Sequence, residues 1–507
     1  MRAKRSLYNF LFSLLSTVVT FAIGIVIPRL FLVNLGSEAN GLVSSVGQIF
    51  AYVSLMEAGI GATTKQALYK PIADKDQLGI NRILSASNQY YKKIGFIYIG
   101  CVAAIALVYP LLVKSALPTW QVICVVGFSG MANAINFLLQ QNYIVLLSAE
   151  GRGYVTTNLN LLVNVLSSLV KAILLTLGYN VAVVVGAQFC FTLVRITLLR
   201  LYINRKYQWI DIKQEPDRSA LSKQRYVMAQ QISYFVYSNT DILVLTVFCN
   251  LKVVSVYTIY TTIVGVIEGV VGSIVTSIAF ALGQLYNEDF GRFKKLYSAY
   301  DSSYMLLLFM LYTVVGMLIV PFLSIYTRGI TDINYLDYKL AFLFVALKMV
   351  TTLRSQSQNA VDFAGHFKET QHMAIIEAIS NIVISLICVS FMGIYGVVIG
   401  SIVSTFYRGI AVTNYVNKNI LKNNRKESMM KYIRWIVYLA IFLAFFFISQ
   451  RIIPMTMDNY FTWIKAGVVC TLLSLVVYGG LWVAMDKENV IYILNLVKEK
   501  LHRGKND

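Results

Sequence analysis

Long apolar segments dominate the chain, and short polar stretches separate them. A helix needs about 20 apolar residues to cross a bilayer, and about fourteen segments meet that requirement. They cover residues 7–33, 41–62, 94–113, 120–147, 155–177, 181–201, 227–248, 254–282, 305–326, 340–361, 373–392, 397–416, 435–452 and 464–485. We therefore predict an all-α polytopic membrane protein, with a further amphipathic helix on the membrane surface over 489–501.

The charged residues support this interpretation and orient the predicted helices. Hydrophobic residues make up 57% of the 507 residues and charged residues only 13%, at a net charge of +20. Alternate threading from the inside brings most Lys and Arg residues into the loops of one side, as expected of cytoplasmic loops. The positive charge therefore indicates topology and no nucleic-acid partner, and both termini are predicted to be cytoplasmic. The cysteines lie in or beside apolar segments without a CxxC pair, so we predict packing roles and no metal site.

Matching residues indicate an internal duplication. Arg195, Tyr202 and Asn204 are followed, 213 positions later, by Arg408, Tyr415 and Asn417. Six helices per repeat is an even number, so the halves would be parallel repeats with a cavity between them. We predict two pseudo-symmetric six-helix lobes plus two C-terminal helices. The N-lobe covers 1–206, a cytoplasmic linker 207–226, the C-lobe 227–420, and the last two helices with the amphipathic tail 421–507.

Ionisable residues occur inside the apolar segments, where a charge costs roughly 2.5–3.5 kcal/mol and usually marks a pathway. The basic ones are Arg29, Lys171, Arg195, Lys348, Arg354 and Arg408, and the acidic ones are Glu57, Asp241, Glu268 and Glu377. Other interpretations stay open at this point. Arg29, Arg195 and Arg408 lie close enough to segment ends to reach the membrane interface. Lys171 and Lys348 could instead form buried salt bridges with Asp241 or Glu268.

Polar side chains recur at helical spacing on three segments. The fourth carries Ser129, Asn133, Asn136 and Gln140, the seventh Gln230, Tyr234, Tyr237 and Asp241, and the tenth Lys348, Thr351, Thr352, Ser355, Gln358, Asn359 and Asp362. Such stripes either bond helices together or line a hydrated cavity. Because three segments carry them, we favour the hydrated cavity.

Short motifs accompany this layout. Arg29 near the end of the first segment is followed by Asn34-Leu35-Gly36 and Gly41-Leu42, and Glu57-Ala58-Gly59-Ile60-Gly61 lies at the end of the second. With the six-plus-six-plus-two arrangement, they resemble the polysaccharide transporter family, which includes Wzx-type flippases. That family belongs to the multidrug/oligosaccharidyl-lipid/polysaccharide exporter superfamily.

The resemblance implies a flippase that moves undecaprenyl-pyrophosphate-linked oligosaccharide repeat units from the cytoplasmic to the outer leaflet by alternating access. It implies a bacterial cytoplasmic membrane, a role in O-antigen, capsule or exopolysaccharide synthesis, and membrane lipids and polysaccharide polymerases as partners. A V-shaped pair of lobes with a central cationic cavity is the fold that it implies.

Candidate roles follow from this resemblance and from side-chain chemistry. Basic groups replace the hydration of a diphosphate, so the candidate pyrophosphate ligands are Arg29, Lys171, Lys348 and Arg354. Amide and aromatic groups suit sugars, and the candidates are Asn133, Asn136, Gln140, Tyr234, Tyr237 and Gln358. The candidate sites for coupling to H⁺ or Na⁺ are Glu57, Asp241 and Glu268. We predict no other cofactor.

Three alternative functions are considered. A lipid II flippase would need the same cationic cavity. A multidrug/cation antiporter of the superfamily would be expected to have an acidic and aromatic cavity, whereas basic residues at least equal acidic ones here. A membrane polysaccharide polymerase would need catalytic groups in a sizeable outer loop, and the predicted outer turns are short, so we predict that the protein is not an enzyme.

Overall fold

The computed structural model describes the backbone of residues 2–57, 60–113, 115–217, 235 and 239–503. Within these ranges the protein is all-α. The chain packs as two compact units. Unit 1 comprises Met1–Ile259 and Gly329–Ile333, and unit 2 comprises Tyr260–Arg328 and Asn334–Asp507. The lobe boundaries expected from the sequence stay a prediction.

Unit 1 contains eight helices in the described residues, and a ninth begins in it. They are α1 (Arg2–Val53), α2 (Ile60–Asp74), α3 (Gln77–Leu112), α4 (Thr119–Leu139), α5 (Gln141–Ala149), α6 (Gly153–Thr176), α7 (Val181–Lys206), α8 (Asn239–Phe248) and α9 (Leu251–Glu288). Its core is formed by aliphatic and aromatic residues such as Leu42, Tyr98 and Val126.

Unit 2 takes in most of α9 and seven further helices of the described chain. They are α10 (Phe290–Tyr326), α11 (Tyr338–Ala364), α12 (Phe367–Met392), α13 (Ile394–Tyr415), α14 (Arg425–Ile452), α15 (Tyr460–Met485) and α16 (Lys487–Arg503). The helix α16 covers the range 489–501 in which an amphipathic helix was expected. Near its start, the apolar residue Val490 is buried.

Eleven helices of the described chain are long and apolar enough to cross a membrane. Three differences account for the higher number expected from the sequence. The first two apolar segments form two helices that follow each other across Gly36 within the single stretch Val19–Glu57. The seventh segment is described only over Asn239–Phe248. The tenth segment forms α11, which has 27 residues but carries too many polar side chains to be included. The all-α polytopic membrane fold is confirmed.

The turn expected between the first two segments, over 34–40, is reduced to a kink at one residue. Gly36 has φ +80° and ψ 173°, a conformation that essentially only glycine adopts. Helical geometry resumes at once, and Ser37 donates to Asp332 from its backbone N–H (2.9 Å) and its hydroxyl (2.8 Å). The carboxylate therefore satisfies the first donors of the new helix, as an N-terminal cap does.

The fourth apolar segment, expected to be continuous over 120–147, is broken at Gln140. This residue has φ −134° and separates α4 from α5, although its side chain is only 2% exposed. The apolar composition continues across the break, so hydropathy alone does not reveal it.

Helix positions recur with the offset expected from the sequence. The helices α3 and α10 begin at Gln77 and Phe290, and α7 and α13 at Val181 and Ile394, both 213 positions apart. The N-cap residues repeat as well, because Asp76 and Asp289 each accept from a backbone N–H three residues later at 2.9 Å. The same local sequence signal therefore starts corresponding helices in each unit.

Candidate functional site

A buried cluster of three charged residues lies in unit 2. The Glu377 carboxylate of α12 is 0% exposed and accepts from Arg354 of α11 and Arg408 of α13. Arg354 is itself only 9% exposed. Two guanidinium groups therefore share one buried carboxylate, and the exposed Asp362 of α11 supplies a second carboxylate that acts on Arg408.

Close packing of α12 and α13 brings Arg408 to this carboxylate. A Cβ atom added at Gly396 would overlap the Cys388 backbone, and one at Gly400 would overlap Ser385. This spacing is the small-xxx-small pattern that lets membrane helices approach closely. Arg408 lies two turns further along the same helix, so the glycines fix the helix separation on which the ion pair depends.

Amide and carboxyl groups of α11 extend the cluster. Arg408 Nη2 donates to Gln358 Oε1 at 3.2 Å, and Gln358 Nε2 donates to Asp362 Oδ1 at 3.1 Å. Gln358, a candidate sugar ligand, therefore lies beside the predicted pyrophosphate ligand Arg354, on the same helix and one turn away.

Lys348 forms a second ion pair in unit 2. Its Nζ lies 2.7 Å from Glu268 Oε2, and the two side chains are 20% and 40% exposed. The salt bridge left open as an alternative for Lys348 is therefore present in the structure. A candidate pyrophosphate ligand and a candidate coupling residue neutralise each other here, and a ligand phosphate would have to compete with Glu268 for the ammonium group.

Unit 1 contains a polar cavity of about 460 Å³. Its lining includes Asn133, Asn160, Asn164, Gln188 and Arg195. Arg195 donates from Nη1 to Asn160 at 3.0 Å and from Nη2 to Asn136 at 3.1 Å. One amide of the fourth-segment stripe, Asn136, and one of α6, Asn160, therefore orient an arginine that was not expected to be a ligand.

Other candidate residues of unit 1 have neutral contacts. Lys171 Nζ donates to Gln188 Oε1 at 3.4 Å, beside the cavity. Glu57 accepts from Tyr91 (3.2 Å) and Gln141 (3.4 Å), and Asp241 accepts from Tyr257 at 2.7 Å. Phenol and amide donors therefore surround two of the candidate coupling carboxylates.

The remaining candidates differ in how far the structure describes them. Gln140 is buried at the α4–α5 break and donates to Asn136, and Arg29 is half-buried on α1. Tyr234 and Tyr237 lie outside the described residues. The assignment of all these residues to substrate and ions stays a prediction.

A second polar cavity, of about 890 Å³, lies in unit 2 and was not expected from the sequence. Three ion pairs line it: Lys431 with Asp301 (2.9 Å), Arg434 with Asp486, and the more exposed pair Lys294 with Glu427 (3.6 Å). These residues come from α10, α14 and the start of α16, which are distant in sequence. Charges at the ends of apolar segments are common in any membrane protein, so no local motif singles them out.

Glu377 and Arg408 were likewise not expected to bind substrate or ions. The available signal was the duplication, since Arg195 and Arg408 correspond at 213 positions and both contact amides of a helix with a polar stripe. The same offset of 213 positions relates Glu377 of α12 to Asn164 of α6, and this exchange of an amide for a carboxylate would have drawn attention to Glu377.

Comparisons with known proteins were made for sequence and for structure. No protein-family model and no curated protein matches the sequence. Among solved structures, the chain is similar to an inward-facing multidrug resistance MATE family transporter of the MOP superfamily, with a TM-score of 0.66 and 17% identity over 80% of this chain and 95% of that one. It is also similar to the lipid II flippase MurJ in an inward closed conformation, with a TM-score of 0.68 and 12% identity over 94% and 99% of the two chains. The chain is thus a multi-pass membrane protein with a fold similar to those of this MATE transporter and of MurJ.

Proposed function

We propose that the protein is a flippase for lipid-linked oligosaccharides, which carries an undecaprenyl-pyrophosphate-linked repeat unit from the cytoplasmic to the outer leaflet. The observation that carries this proposal is the pair of guanidinium groups, Arg354 and Arg408, that meet at the one buried carboxylate of Glu377. Guanidinium groups attract the phosphates of an anionic cargo and repel a cationic drug.

Residues near the cluster support a cargo that combines a diphosphate with sugars. Arg354 offers a planar fork of donors suited to phosphate oxygens, and Gln358 offers an amide on the same helix. The lipid-linked cargo is supported by the likeness to MurJ, whose structure is described as a lipid II flippase. The bacterial cytoplasmic membrane, cytoplasmic termini, surface-polysaccharide synthesis and polymerase partners belong to the same proposal.

A second candidate function is a multidrug/cation antiporter, favoured by the neutral contacts of Glu57. The Glu57 carboxylate is held by Tyr91 and Gln141. A carboxylate in such a setting is a suitable acceptor for a coupling proton. The flippase proposal uses the same groups, Glu57 and Asp241, for coupling to H⁺ or Na⁺.

The test is translocation in vesicles that contain the purified protein. The cargo is a fluorescent oligosaccharide on a polyprenyl pyrophosphate, and its appearance in the opposite leaflet is measured by quencher accessibility. Lipid II and the cation ethidium are assayed in parallel. We expect transport of the oligosaccharide lipid and none of ethidium.

Variants connect the transport rate to the cationic residues. A hydrogen bond to a charged group contributes about 1.5–3 kcal/mol, so we expect Arg354→Ala or Lys348→Ala to lower the rate roughly 10- to 150-fold. Arg451→Ala is the control variant: it also removes one positive charge, but at the exposed end of α14, and it should retain the wild-type rate. Full activity of both interior variants, or transport of ethidium alone, would refute the proposal.

A further inference from the structure

The two units balance corresponding arginines differently. In unit 2, Arg408 is neutralised by Glu377 of α12. In unit 1, Arg195 occupies the corresponding position on α7 and contacts the neutral amides of Asn136 and Asn160. The position 213 residues before Glu377 is Asn164 of α6. The unit 1 site thus has the arginine of the repeat without its carboxylate.

The unit 1 cavity also contains hydrogen-bonding groups that the described protein atoms leave unused. The Ser167 side chain is 5% exposed, and its hydroxyl has no partner among the described residues. The Arg195 Nε group is buried and likewise has no partner there. Both residues line the cavity, together with Asn164. Buried polar groups are usually satisfied, so the Ser167 hydroxyl indicates a ligand that supplies an acceptor. The Arg195 Nε group gives no such indication, because the Arg408 Nε group also has no partner among the described residues although Glu377 binds that guanidinium group.

The electrostatics of the cavity favour an anion. None of its described lining residues is acidic. Lys171 adds a second cation at its edge by donating to Gln188, one of the lining residues. A cation at this depth is costly unless an anion or water compensates it.

The size and walls of the cavity restrict the anion further. Its volume of about 460 Å³ lies within the usual range for small-molecule sites, about 300–1,000 Å³. Phe128 and Phe189, stacked with ring centroids 5.6 Å apart, form an apolar wall. The cavity can therefore hold a molecule the size of one sugar ring.

We propose that the unit 1 cavity is a carboxylate-binding site, in which a ligand carboxylate takes the part that Glu377 plays toward Arg408 in unit 2. A carboxylate matches the guanidinium fork through two parallel hydrogen bonds. The ligand is either an acidic sugar or a small free carboxylate, and the chemistry at Arg195 is the same for both. This inference goes beyond the proposed function, because it concerns the binding of a carboxylate and does not depend on whether the protein translocates a lipid.

The experiment measures thermal unfolding of the full chain in detergent during titration with sodium glucuronate, sodium acetate or glucose, with sodium chloride matching the ionic strength. We expect a saturable rise in melting temperature with glucuronate or with both carboxylates, and none with glucose. A response at least tenfold more sensitive to glucuronate than to acetate identifies an acidic sugar as the ligand. Equal sensitivity identifies a small carboxylate.

Two variants at one position separate the inference from general effects of charge. Asn164→Glu supplies an internal carboxylate at the position that matches Glu377, so it should weaken the response to added carboxylate at least tenfold. Asn164→Gln adds the same bulk to the cavity without the charge, so the loss of response in Asn164→Glu beyond that in Asn164→Gln is due to the internal carboxylate. If Asn164→Glu does not fold, Arg195→Gln decides, because it should abolish the response.

The proposal is overturned if the wild type responds no more to carboxylates than to chloride, or if glucose acts as well as glucuronate. An undiminished response in Asn164→Glu or in Arg195→Gln overturns it too. No vesicle or lipid-linked cargo enters this experiment. Its failure is therefore distinguishable from a failure of the flippase proposal.

Discussion

Replacing Glu377 with glutamine should destabilise unit 2 strongly. The change keeps the shape of the side chain but removes the buried carboxylate that Arg354 and Arg408 share. Two unit charges about 4 Å apart interact by about 4 kcal/mol at an effective dielectric constant of about 20. Glu377 attracts both guanidinium groups, which also repel each other. Removing one partner of a buried ion pair typically costs about 3–5 kcal/mol, and we expect a value at the upper end of that range.

The assay is reversible unfolding in mixed detergent micelles, followed by circular dichroism. The matched control is Asn164→Gln at the corresponding position of unit 1, where no ion pair is lost; it should cost less than about 1 kcal/mol. Arg408→Gln should cost less than Glu377→Gln, because Arg354 still neutralises the carboxylate. The double variant should be more stable than the sum of the two single losses implies. If Glu377→Gln is no more costly than Asn164→Gln, the buried cluster does not carry the energy assigned to it.

Three further predictions concern local structure. Gly41→Ala would drive a methyl group into the Leu251 carbonyl and should cost about 1–3 kcal/mol in the unfolding assay, whereas Gly47→Ala, in open space on the same helix, should be tolerated. Asp76→Ala and Asp289→Ala each remove an N-cap and should cost about 0.5–2 kcal/mol, while the corresponding Asn variants retain the cap; equal losses for Ala and Asn would contradict the capping role. Burial, together with a hydrogen bond to Glu150, raises the pKa of Tyr207 above its ordinary value of about 10. The neutral phenol therefore stabilises the folded protein fully below about pH 10 and less as the pH rises further; melting temperatures of the wild type should fall faster above that pH than those of Tyr207→Phe.

Hydropathy and the duplication frame predict the helices well, because both depend on local sequence. The starts of α7 and α13 follow closely from the apolar segments, whereas α3 and α10 begin well before the segments expected at 94 and 305, at Gln77 and Phe290, because their first turns are polar. The Gln140 break and the shortened turn at Gly36 could not be predicted in the same way. The apolar sequence continues across Gln140, so hydropathy does not show the break. At Gly36 the polar residues 34–40 suggest a longer turn than the one that the folded chain forms.

The sequence identified several residues of the candidate site but not the ion pairs that they form. Lys348, Arg354 and Gln358 are recognisable as unusual residues for an apolar segment. That Lys348 pairs with Glu268, and that Glu377 joins two arginines, depends on which faces of α9, α11, α12 and α13 pack together. Sequence spacing fixes faces within one helix, but the choice of neighbouring helix is a property of the folded chain.

The polarity of α11 has a consequence for how the protein is made. Lys348 and Arg354 would each add roughly 2.5–3.5 kcal/mol to the insertion of an isolated helix. Their carboxylate partners lie on α9, which the ribosome completes earlier, and on α12, which it completes later. We therefore expect α11 to insert poorly on its own and to become stable in the bilayer only when α12 has emerged, so that helices α9 to α13 are integrated as one cooperative group during biogenesis.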